Sequence, residues 1–330
     1  MLQKKVGIVV PSNNKARVCE FLDKWYTKFL TYKPPVMLFL IEDGPRKTFN
    51  ISKYLGLLIE HISWEQIDKT LGGDAWIIPR KTDCVRSFGL FRAIKADCDV
   101  IISLDDDCFP CTEDFIQEHV NILSQSFSYS AWETTIAGGR PRGLPYMNST
   151  KGASIVLSHG LWKDIPDFDA ITQLSRLNAP SEVDLLTKII SFGSYFPMCG
   201  MNVAYSSKVI PAAYFLLMGQ GYPFDRFGDI WSGIFLKKIV DHLSEAAHSG
   251  VPWVKHTRAS NVWDNLRKES PGYAENETLW KFVDEIFLTG LTYKSCYKQL
   301  AKALADRGGE YSSYWKTLSQ AMCIWADLFS

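Results

Sequence analysis

The sequence carries no net charge, because 36 lysine and arginine residues balance 36 aspartate and glutamate residues over 330 positions. It also lacks an unbroken apolar stretch long enough to span a bilayer, and residues 2–5 lead directly into a short predicted strand instead of a signal-peptide core. Balanced charge argues against nucleic acid or an anionic membrane recognised through bulk charge. We therefore expect a cytoplasmic protein with no integral membrane segment and no nucleic-acid partner.

The cysteine pattern does not favour a zinc site or a disulfide framework. The chain has 8 cysteines, which we expect to be reduced, and Cys108 and Cys111 form its C-x-x-C spacing. Because no second pair of this kind exists, we interpret these two thiols as flanking a strand-to-helix turn. There are no internal repeats and no low-complexity linker, so the 330 residues make one large domain or two ordinary ones.

The most informative feature that is present is an acidic triplet directly after a buried strand. Residues 100–104 are an apolar, β-branched run, and Asp105, Asp106 and Asp107 follow it. Adjacent like charges repel unless a cation lies among them, and carboxylate oxygens suit Mg²⁺ or Mn²⁺ shared with substrate phosphates. The triplet therefore predicts a metal site at a strand end, where open α/β sheets bind ligands. The alternative is an acidic turn that stabilises the N-terminus of a helix beginning near Thr112.

Two β-α-β steps lead up to this strand. Residues 6–10 and 36–41 are predicted strands, and residues 15–30 between them carry the apolar face of a helix. Charged residues at the strand ends then indicate a parallel sheet. Asp43 follows the second strand and is a candidate to accept a hydrogen bond from a base or ribose. A solvated turn aspartate is the alternative.

Two basic segments are candidates for binding phosphate. Arg80, Lys81 and Arg86 lie shortly before the central strand, where they are placed to neutralise a diphosphate, although such a run is also typical of a solvated face. Residues 138–146 are rich in glycine, proline and arginine and include Arg142. This segment is either an active-site lid or an ordinary exposed loop.

The last third of the chain contributes two further candidates. Asp229 lies near the start of a helix predicted over 227–243, and His256 ends a predicted strand shortly before Arg258. A neutral imidazole at that place is a reasonable metal ligand, and a structural histidine is the alternative. From residue 279 the pattern is helical to the end, and we expect this tail to serve packing or assembly into a homo-oligomer.

Motifs along almost the whole chain match one known pattern. The most specific are Ser158-His159-Gly160-Leu161-Trp162 and Phe196-Pro197-Met198-Cys199-Gly200-Met201-Asn202. The other matching segments include Asp43-Gly44, Arg86 with Phe88-Gly89, Asp105 through Phe109, Arg142-Gly143, Ile165-Pro166-Asp167, Leu217-Met218-Gly219, Asp229 with Trp231, and Ala259-Ser260-Asn261. Together they resemble the reversibly glycosylated polypeptide family, the UDP-arabinopyranose mutases best known from plants.

This resemblance implies an α/β, GT-A-type (Rossmann-like) nucleotide-sugar-binding fold with a C-terminal helical extension. The expected division is a catalytic domain over 1–275 and a helical segment over 276–330. A UDP-sugar is the implied substrate, and Mn²⁺ or Mg²⁺ is the implied cofactor. In the family an arginine carries the sugar reversibly, and its position here is Arg142. The alternative role for Arg142 is a bidentate clamp on the diphosphate.

The resemblance also assigns roles to the candidate residues. The expected catalytic residues are Arg142, Asp229 and Asp105. The expected nucleotide-binding residues are Asp43, Arg86, Asp106 and Asn202, and the expected metal ligands are Asp107, Asp105 and His256.

The chain departs from the family pattern at two places. The family has a second arginine seven residues after the first, and its place here is Thr150, with Lys151 beside it in an expected loop over 147–151 and with one residue inserted between Arg142 and Ser158. The family's paired aspartates before the tryptophan are reduced here to Gly228-Asp229. Nucleotide and metal binding are thus expected to be retained, while the handling of the sugar differs.

Three functions are compatible with these residues. The leading one is a mutase that interconverts the pyranose and furanose forms of a UDP-pentose, with UDP-L-arabinose first, through reversible self-glycosylation. The second is a metal-dependent glycosyltransferase that passes the sugar to an external acceptor. The third is a non-catalytic nucleotide-sugar-binding subunit, which the presence of the acidic triplet, Arg142 and Asp229 disfavours.

Overall fold

A computed structural model describes residues 4–133, 140–176, 186–257 and 260–329. Arg258, Ala259, Gly138 and Gly139, which the sequence analysis names, lie outside these ranges. The strands are β1 (Val6–Ser12), β2 (Met37–Glu42), β3 (Leu58–Ile62), β4 (Val100–Leu104), β5 (Cys108–Pro110), β6 (Ser126–Ser130), β7 (Thr150–Asp164), β8 (Lys188–Ile189), β9 (Asn202–Ser206) and β10 (Ala246–His256). The α-helices are α1 (Lys15–Thr31), α2 (Trp64–Leu71), α3 (Val85–Lys95), α4 (Phe115–Leu123), α5 (Ala170–Ser175), α6 (Gly228–His242), α7 (Val262–Glu285), α8 (Tyr293–Ala305) and α9 (Ser312–Asp327).

The strands form a mixed sheet in the order β3-β2-β1-β4-β9-β7-β10-β5. The first four strands in this order are parallel, as the β-α-β pattern predicts. Strand β9 then runs antiparallel to both β4 and β7, and β10 pairs parallel with β7 and antiparallel with β5. This mixed α/β sheet, with a parallel Rossmann-like half, agrees with the α/β class that the resemblance implies. It places the ends of β1, β2 and β4 at one edge of the sheet.

Helix α1 forms for reasons that are visible in the sequence. The Asn14 side chain caps it by accepting hydrogen bonds from the backbone N–H groups of Ala16 and Arg17. Its apolar face is buried against the sheet through Val18, Phe21, Leu22, Trp25 and Phe29. The Trp25 indole N–H also donates to the Cys108 carbonyl over 2.9 Å, which ties α1 to the segment just after the acidic triplet.

The predicted helical tail is confirmed, and it packs onto its own chain. Helices α8 and α9 share one buried core with α3 and α6. The Trp325 ring stacks on Tyr214 with their centroids 5.5 Å apart, and the Tyr314 hydroxyl donates to the Leu217 carbonyl over 3.0 Å. The division at residue 275 stays a prediction, and that residue lies inside α7, which continues to Glu285.

Helix α7 begins much earlier than the sequence pattern indicates. The pattern predicts helix only from residue 279, because Pro271 and Gly272 are typical helix breakers. In the structure both residues lie inside α7. A Cβ added at Gly272 would come within 2.3 Å of the Phe227 ring, so the glycine allows α7 to pack closely there. Tertiary packing therefore overrides the local preference.

The expectation of a loop over 147–151 is wrong at its end. Strand β7 begins at Thr150 and pairs with β6, with Thr150 opposite Ser130 and Lys151 opposite Tyr129. Cross-strand pairing with a distant segment decides this, and periodicity in a short polar stretch does not reveal it. Among the described residues, no helix combines the length and apolar character needed to cross a membrane.

Candidate active site

A polar cleft of about 340 Å³ opens where the ends of β1, β2 and β4 meet. Ligands bind at such an edge because the loops that leave neighbouring parallel strands spread apart there. The charged residues that line it are Arg17, Asp43, Lys81, Asp83, Arg86, Asp105, Asp106, Asp167, Asp225, Arg226, Asp229 and Lys268. Five of the predicted site residues are among them: Asp43, Arg86, Asp105, Asp106 and Asp229.

Each of the three carboxylates of the acidic triplet faces its own protein partner or partners. Their partners are Arg86 for Asp105, Ser12 and Arg17 for Asp106, and His256 for Asp107. Like charges that are adjacent in sequence are thus kept apart, and each has a separate partner. No group of three or more histidine, cysteine, aspartate or glutamate side chains in the described ranges is close enough to hold a metal ion by itself.

Arg86 and Asp105 form an ion pair in the cleft wall, in which Arg86 is buried and Asp105 is partly exposed. Arg86 is only 4% exposed, and its guanidinium donates to the Asp105 carboxylate, to the Ser103 hydroxyl and, over 2.7 Å, to the Gly200 carbonyl. Burial opposes the charge of this guanidinium, but Asp105 outweighs that effect and raises the pKa of Arg86. Arg86 therefore has a protein carboxylate as its partner, although it still borders the cleft.

Asp107 and His256 face each other just beyond Asp106. Strand β10 pairs with β5 so that His256 lies opposite Cys108, and this register brings its imidazole Nε2 within 3.8 Å of the Asp107 Oδ2. The Nδ1 of His256 lies 2.9 Å from the Ile165 carbonyl, to which it must donate, so in the neutral imidazole the lone pair is on Nε2. Burial and the neighbouring Asp105 raise the pKa of Asp107 to about 7.

This pair fits a divalent ion that also binds substrate. A carboxylate oxygen and a neutral imidazole are both ligands for Mn²⁺ or Mg²⁺, and the hydrogen bond to a backbone carbonyl fixes the required tautomer. Such ions commonly take one or two protein ligands and complete their coordination with water and phosphate oxygens. The residues present therefore fit the implied metal.

Asp43 is held rigidly at the end of β2. Its Oδ1 accepts hydrogen bonds from the Trp64 indole N–H over 2.7 Å and from the Lys81 backbone N–H over 3.1 Å. The preceding residue, Glu42, is buried and accepts hydrogen bonds from the backbone N–H groups of Thr48 and Phe49. Burial raises the pKa of Asp43. The carboxylate thus has a fixed orientation in the cleft.

Asp229 is fixed in the same way at the opposite side of the cleft. It lies in the first turn of α6, its Oδ2 accepts the Gly200 N–H over 3.0 Å, and its Oδ1 accepts the Ile230 N–H over 2.9 Å. Burial is the main cause that raises its pKa to about 6, and the nearby Asp167 adds to it. Asp229 is mostly ionised at neutral pH and does not rotate freely.

The two most specific sequence motifs pack against each other behind the cleft. The His159 Nε2 accepts the backbone N–H of Cys199 over 3.1 Å, and its Nδ1 lies 2.9 Å from the Ser249 hydroxyl. A Cβ at Gly160 would come within 2.2 Å of the Asn202 amide nitrogen, so only glycine fits there. These motifs shape the wall that presents Gly200 to Arg86 and Asp229.

The structure does not place Asn202 where a nucleotide-binding residue is expected. Its side chain is fully buried and does not line the cleft in the part of the chain that is described. The amide donates to the carbonyls of Leu161 and Pro252 over 3.1 and 3.0 Å, and its oxygen lies 3.1 Å from the His119 Nε2. Both of its side-chain polar atoms are therefore used to join β7, β10 and α4, and we correct its expected role from nucleotide binding to a structural one.

Arg142 also lies away from the other predicted residues. It is exposed in the loop between β6 and β7, and it is not among the described residues that line the cleft. Its neighbour Arg140 contacts the Tyr146 ring at 4.7 Å. The structure thus brings together the strand-end carboxylates and leaves the expected sugar carrier outside them.

Three further residues line the cleft, and the sequence pattern gives them no role. Asp83 borders the cleft ahead of α3, Asp167 accepts a hydrogen bond from the Cys199 thiol over 2.9 Å, and Arg226 donates to Glu269 over 2.9 Å. Asp167 lies within a segment that matches the family, and the other two lie close in sequence to such segments, which is the one local signal that points to them. The side-chain partners of Asp167 and Arg226 come from distant segments, and no local sequence pattern predicts those contacts.

Comparisons with known proteins agree with this picture. The family model described as "Reversibly glycosylated polypeptide" matches residues 1–330. UDP-arabinopyranose mutase 3 of Arabidopsis thaliana is 34% identical over 343 residues, covering 99% of this chain and 91% of that protein. UDP-arabinopyranose mutase 1 of Oryza sativa subsp. japonica is 33% identical over 344 residues, covering 99% and 91%.

Among solved structures, glucosyl-3-phosphoglycerate synthase of M. tuberculosis matches with a TM-score of 0.45 and 14% identity, covering 84% of this chain and 80% of that one. A likeness this distant supports no functional argument. The relatives of higher identity support such an argument, and they confirm the prediction of a mutase-like enzyme. The chain belongs to the reversibly glycosylated polypeptide family.

Proposed function

We propose that this enzyme interconverts the pyranose and furanose forms of a UDP-pentose, with UDP-L-arabinose as the first substrate to test. The observation that supports this most is the cleft itself, where carboxylates and basic side chains from three strand ends surround a space of about 340 Å³. Mixed acidic and basic linings suit a ligand that has both hydroxyl groups and a diphosphate. The named relatives supply the reaction class.

The nucleotide half of the cleft is assigned to the ends of β1 and β2. Asp43 is oriented to accept a hydrogen bond from a base or ribose, and Asp106 is held by Ser12 on the facing side. Arg17 and Lys81 bring positive charge to the space between them, where a diphosphate is stabilised by charge-assisted hydrogen bonds. Arg86 contributes indirectly, because it neutralises Asp105.

Asp107 and His256 are the residues that would hold Mn²⁺ or Mg²⁺, with Asp105 adjacent. The ion would supply Lewis-acid stabilisation of the negative charge that collects on departing UDP, an effect of several kcal/mol. Among the described residues, Arg86 donates a hydrogen bond to the Asp105 Oδ1, and no such bond is made to Oδ2. His256 would contribute the lone pair of its Nε2, because its Nδ1 faces the Ile165 carbonyl.

The sugar half is assigned to the side of the cleft formed by α6. Asp229, fixed by two backbone N–H groups, orients a sugar hydroxyl by accepting its hydrogen bond. Arg226 is held at this end by Glu269 and limits the space available to the ring. Retention of UDP in the other half of the cleft lets the same molecule attack the rearranged sugar.

Arg142 is the proposed sugar carrier within this scheme. A guanidinium is protonated at any working pH and is a poor nucleophile, so it must lose a proton or capture an almost free oxocarbenium ion. Because Arg142 is exposed outside the cleft, the loop over 140–149 has to approach the cleft before a bond to the sugar forms.

One experiment tests both the reaction and the carrier. The protein is incubated with UDP-L-arabinopyranose and Mn²⁺, and three species are measured separately: UDP-arabinofuranose by chromatography, free UDP, and sugar-bound protein by intact-mass spectrometry. We expect the furanose isomer and one added pentose that disappears with excess UDP. Arg142→Lys should abolish the adduct, and Arg140→Lys in the same loop is the matched control that keeps it.

The outcomes separate the alternatives. Isomer without any adduct contradicts the carrier role of Arg142 and still supports the mutase function. Free UDP with neither adduct nor isomer contradicts the mutase and favours a transferase that lacks its acceptor.

We also propose that the protein is a homo-oligomer and that it is located in the cytoplasm. A monomer mass by light scattering would contradict the homo-oligomer.

A further inference from the structure

The Asp83 carboxyl lies beside Gly228, which has no side chain of its own. A Cβ built on Gly228, the first residue of α6, would lie 2.7 Å from the Asp83 Oδ2 and 2.9 Å from its Oδ1. The Asp83 carboxyl therefore fills the space that a side chain at position 228 would take. Position 228 is also one of the two places where this chain departs from the family pattern.

The carboxyl of Asp83 differs from that of Asp229 in its hydrogen bonds. Both line the cleft, and Asp229 accepts two backbone N–H groups. Within the described ranges, the Asp83 carboxyl has no hydrogen-bond partner. A polar group that borders a ligand cleft without a protein partner is free to exchange hydrogen bonds with a substrate.

The electrostatic setting gives the two carboxyls different charges. Burial, and then the negative charge of Asp229, raise the pKa of Asp83 to about 8. Asp229 has its pKa raised less, to about 6. The two backbone N–H groups favour the ionised form of Asp229, so a proton shared by the pair lies mainly on Asp83. Two carboxyls whose surroundings separate their pKa values in this way are suited to acid–base work.

We propose that Asp83 is a catalytic residue that contacts the sugar ring and transfers a proton between its oxygens. This inference rests on the proposed mutase function. Converting a pyranose to a furanose breaks the bond from C1 to the ring oxygen O5 and forms one from C1 to O4. The electron pair of the broken bond stays on O5, which takes the Asp83 proton. The O4 lone pair makes the new bond, and the O4 proton returns to Asp83.

This step balances without a further reactant. Asp83 ends in the protonation state in which it began, and no oxidant or reductant is used. The neighbouring Asp229 stays ionised, and its negative charge keeps Asp83 protonated until the proton is transferred to O5. General acid–base groups of this kind contribute about 10²- to 10⁴-fold to a rate.

The first test is Asp83→Asn, which keeps the shape of the side chain and removes its proton. We expect kcat for isomerisation to fall at least about 100-fold, while UDP affinity measured by calorimetry changes less than about threefold. Asp74→Asn, which changes an exposed carboxyl outside the cleft, is the control and should keep kcat. A kcat for Asp83→Asn within about threefold of wild type overturns the proposal.

The second test moves the carboxyl to the neighbouring segment. Gly228→Asp alone should lose activity, because its Cβ meets the Asp83 carboxylate. Asp83→Ala removes that obstacle, and an aspartate in the first turn of α6 is favoured by the helix N-terminus. We expect the double variant Asp83→Ala/Gly228→Asp to recover kcat at least about tenfold over Asp83→Ala alone.

The two tests keep this inference separate from the proposed function. If wild type shows no isomerisation, the mutase proposal fails. If wild type isomerises and a folded double variant is no more active than Asp83→Ala, the role of Asp83 fails and the mutase stands. Circular dichroism and thermal unfolding of each variant establish that it is folded.

Discussion

The guanidinium of Arg86 on α3 is ion-paired with Asp105, the first carboxylate after β4, across 19 residues of sequence. Both side chains lie in the wall of the cleft, and Arg86 also holds the Gly200 carbonyl. One buried cation thus connects the helix before the central strand, the acidic triplet and the motif that ends at Asn202. The stability of the fold and the shape of the cleft depend on the same contact.

This ion pair predicts a large loss of stability when its buried cation is removed. Arg86→Met takes the guanidinium away from the buried Ser103 hydroxyl and from Asp105, whose side chain is 34% exposed, so we expect a loss of about 2–3 kcal/mol of unfolding free energy. The control is Arg80→Met, because Arg80 pairs with Asp68, whose side chain is 63% exposed. That variant should cost no more than about 1 kcal/mol in urea unfolding. Equal losses for the two variants would contradict the structure.

The packing of the two family motifs predicts that Gly160 cannot be replaced. In Gly160→Ala the new methyl would meet the Asn202 amide at 2.2 Å and the Pro252 carbonyl at 2.3 Å. Neither group can withdraw without breaking hydrogen bonds, so we expect a loss of at least about 3 kcal/mol. Gly152→Ala on the same strand meets nothing within 4 Å and should stay within about 0.5 kcal/mol of wild type. Thermal and urea unfolding of both variants decide the matter.

Two buried histidines predict how stability depends on pH. Burial lowers the pKa of His119 to about 3 and that of His159 to about 4. Between these values and about 6.5 the unfolded chain binds more protons than the folded one. The contribution of each histidine to the free energy of unfolding is therefore complete above about pH 6.5 and is lost as the pH falls. The slope is at most about 1.4 kcal/mol per pH unit for each histidine.

The measurement compares His119→Gln with wild type. Raised pKa values, such as those of Asp83 and Asp229, act in the opposite direction, so the difference between the two proteins is the quantity to follow. We expect the variant to be less stable than wild type at pH 7. The gap between the free energies of unfolding of the two proteins should narrow toward pH 4.5. A gap that stays constant in urea unfolding across this range would show that His119 is not a buried neutral histidine.

The pair formed by Asp107 and His256 predicts that divalent ions strengthen UDP binding. Calorimetry with Mn²⁺ should show UDP affinity at least about tenfold higher than with excess chelator. Asp107→Ala should remove this difference, because it deletes the carboxylate that we propose as a metal ligand, and His256→Ala should reduce it. Asp114→Ala, at an exposed aspartate before α4, is the control and should keep the full enhancement. The same affinity with and without chelator in wild type would exclude this metal site.

Local patterns in the sequence predict much of the fold correctly. The apolar face of residues 15–30 predicts α1, the β-branched run before Asp105 predicts β4, and the tail predicts α8 and α9. These elements are long or sharply bounded, and their periodicity is set by their own burial. Helix α7 and strand β7 are mispredicted because their contacts, to Phe227 and to β6, lie far away in sequence.

The sequence by itself determined the family, the α/β class and the presence of carboxylates at strand ends, since these depend on residue identity and local order. Only the tertiary structure decided what each side chain faces. Adjacent aspartates at 105–107 point to partners from α1, α3 and β10, and Asn202 is buried while Asp83 lines the cleft. Strand order and register determine which side chains come into contact. Because these residues are far apart in sequence, no local sequence pattern predicts the contacts.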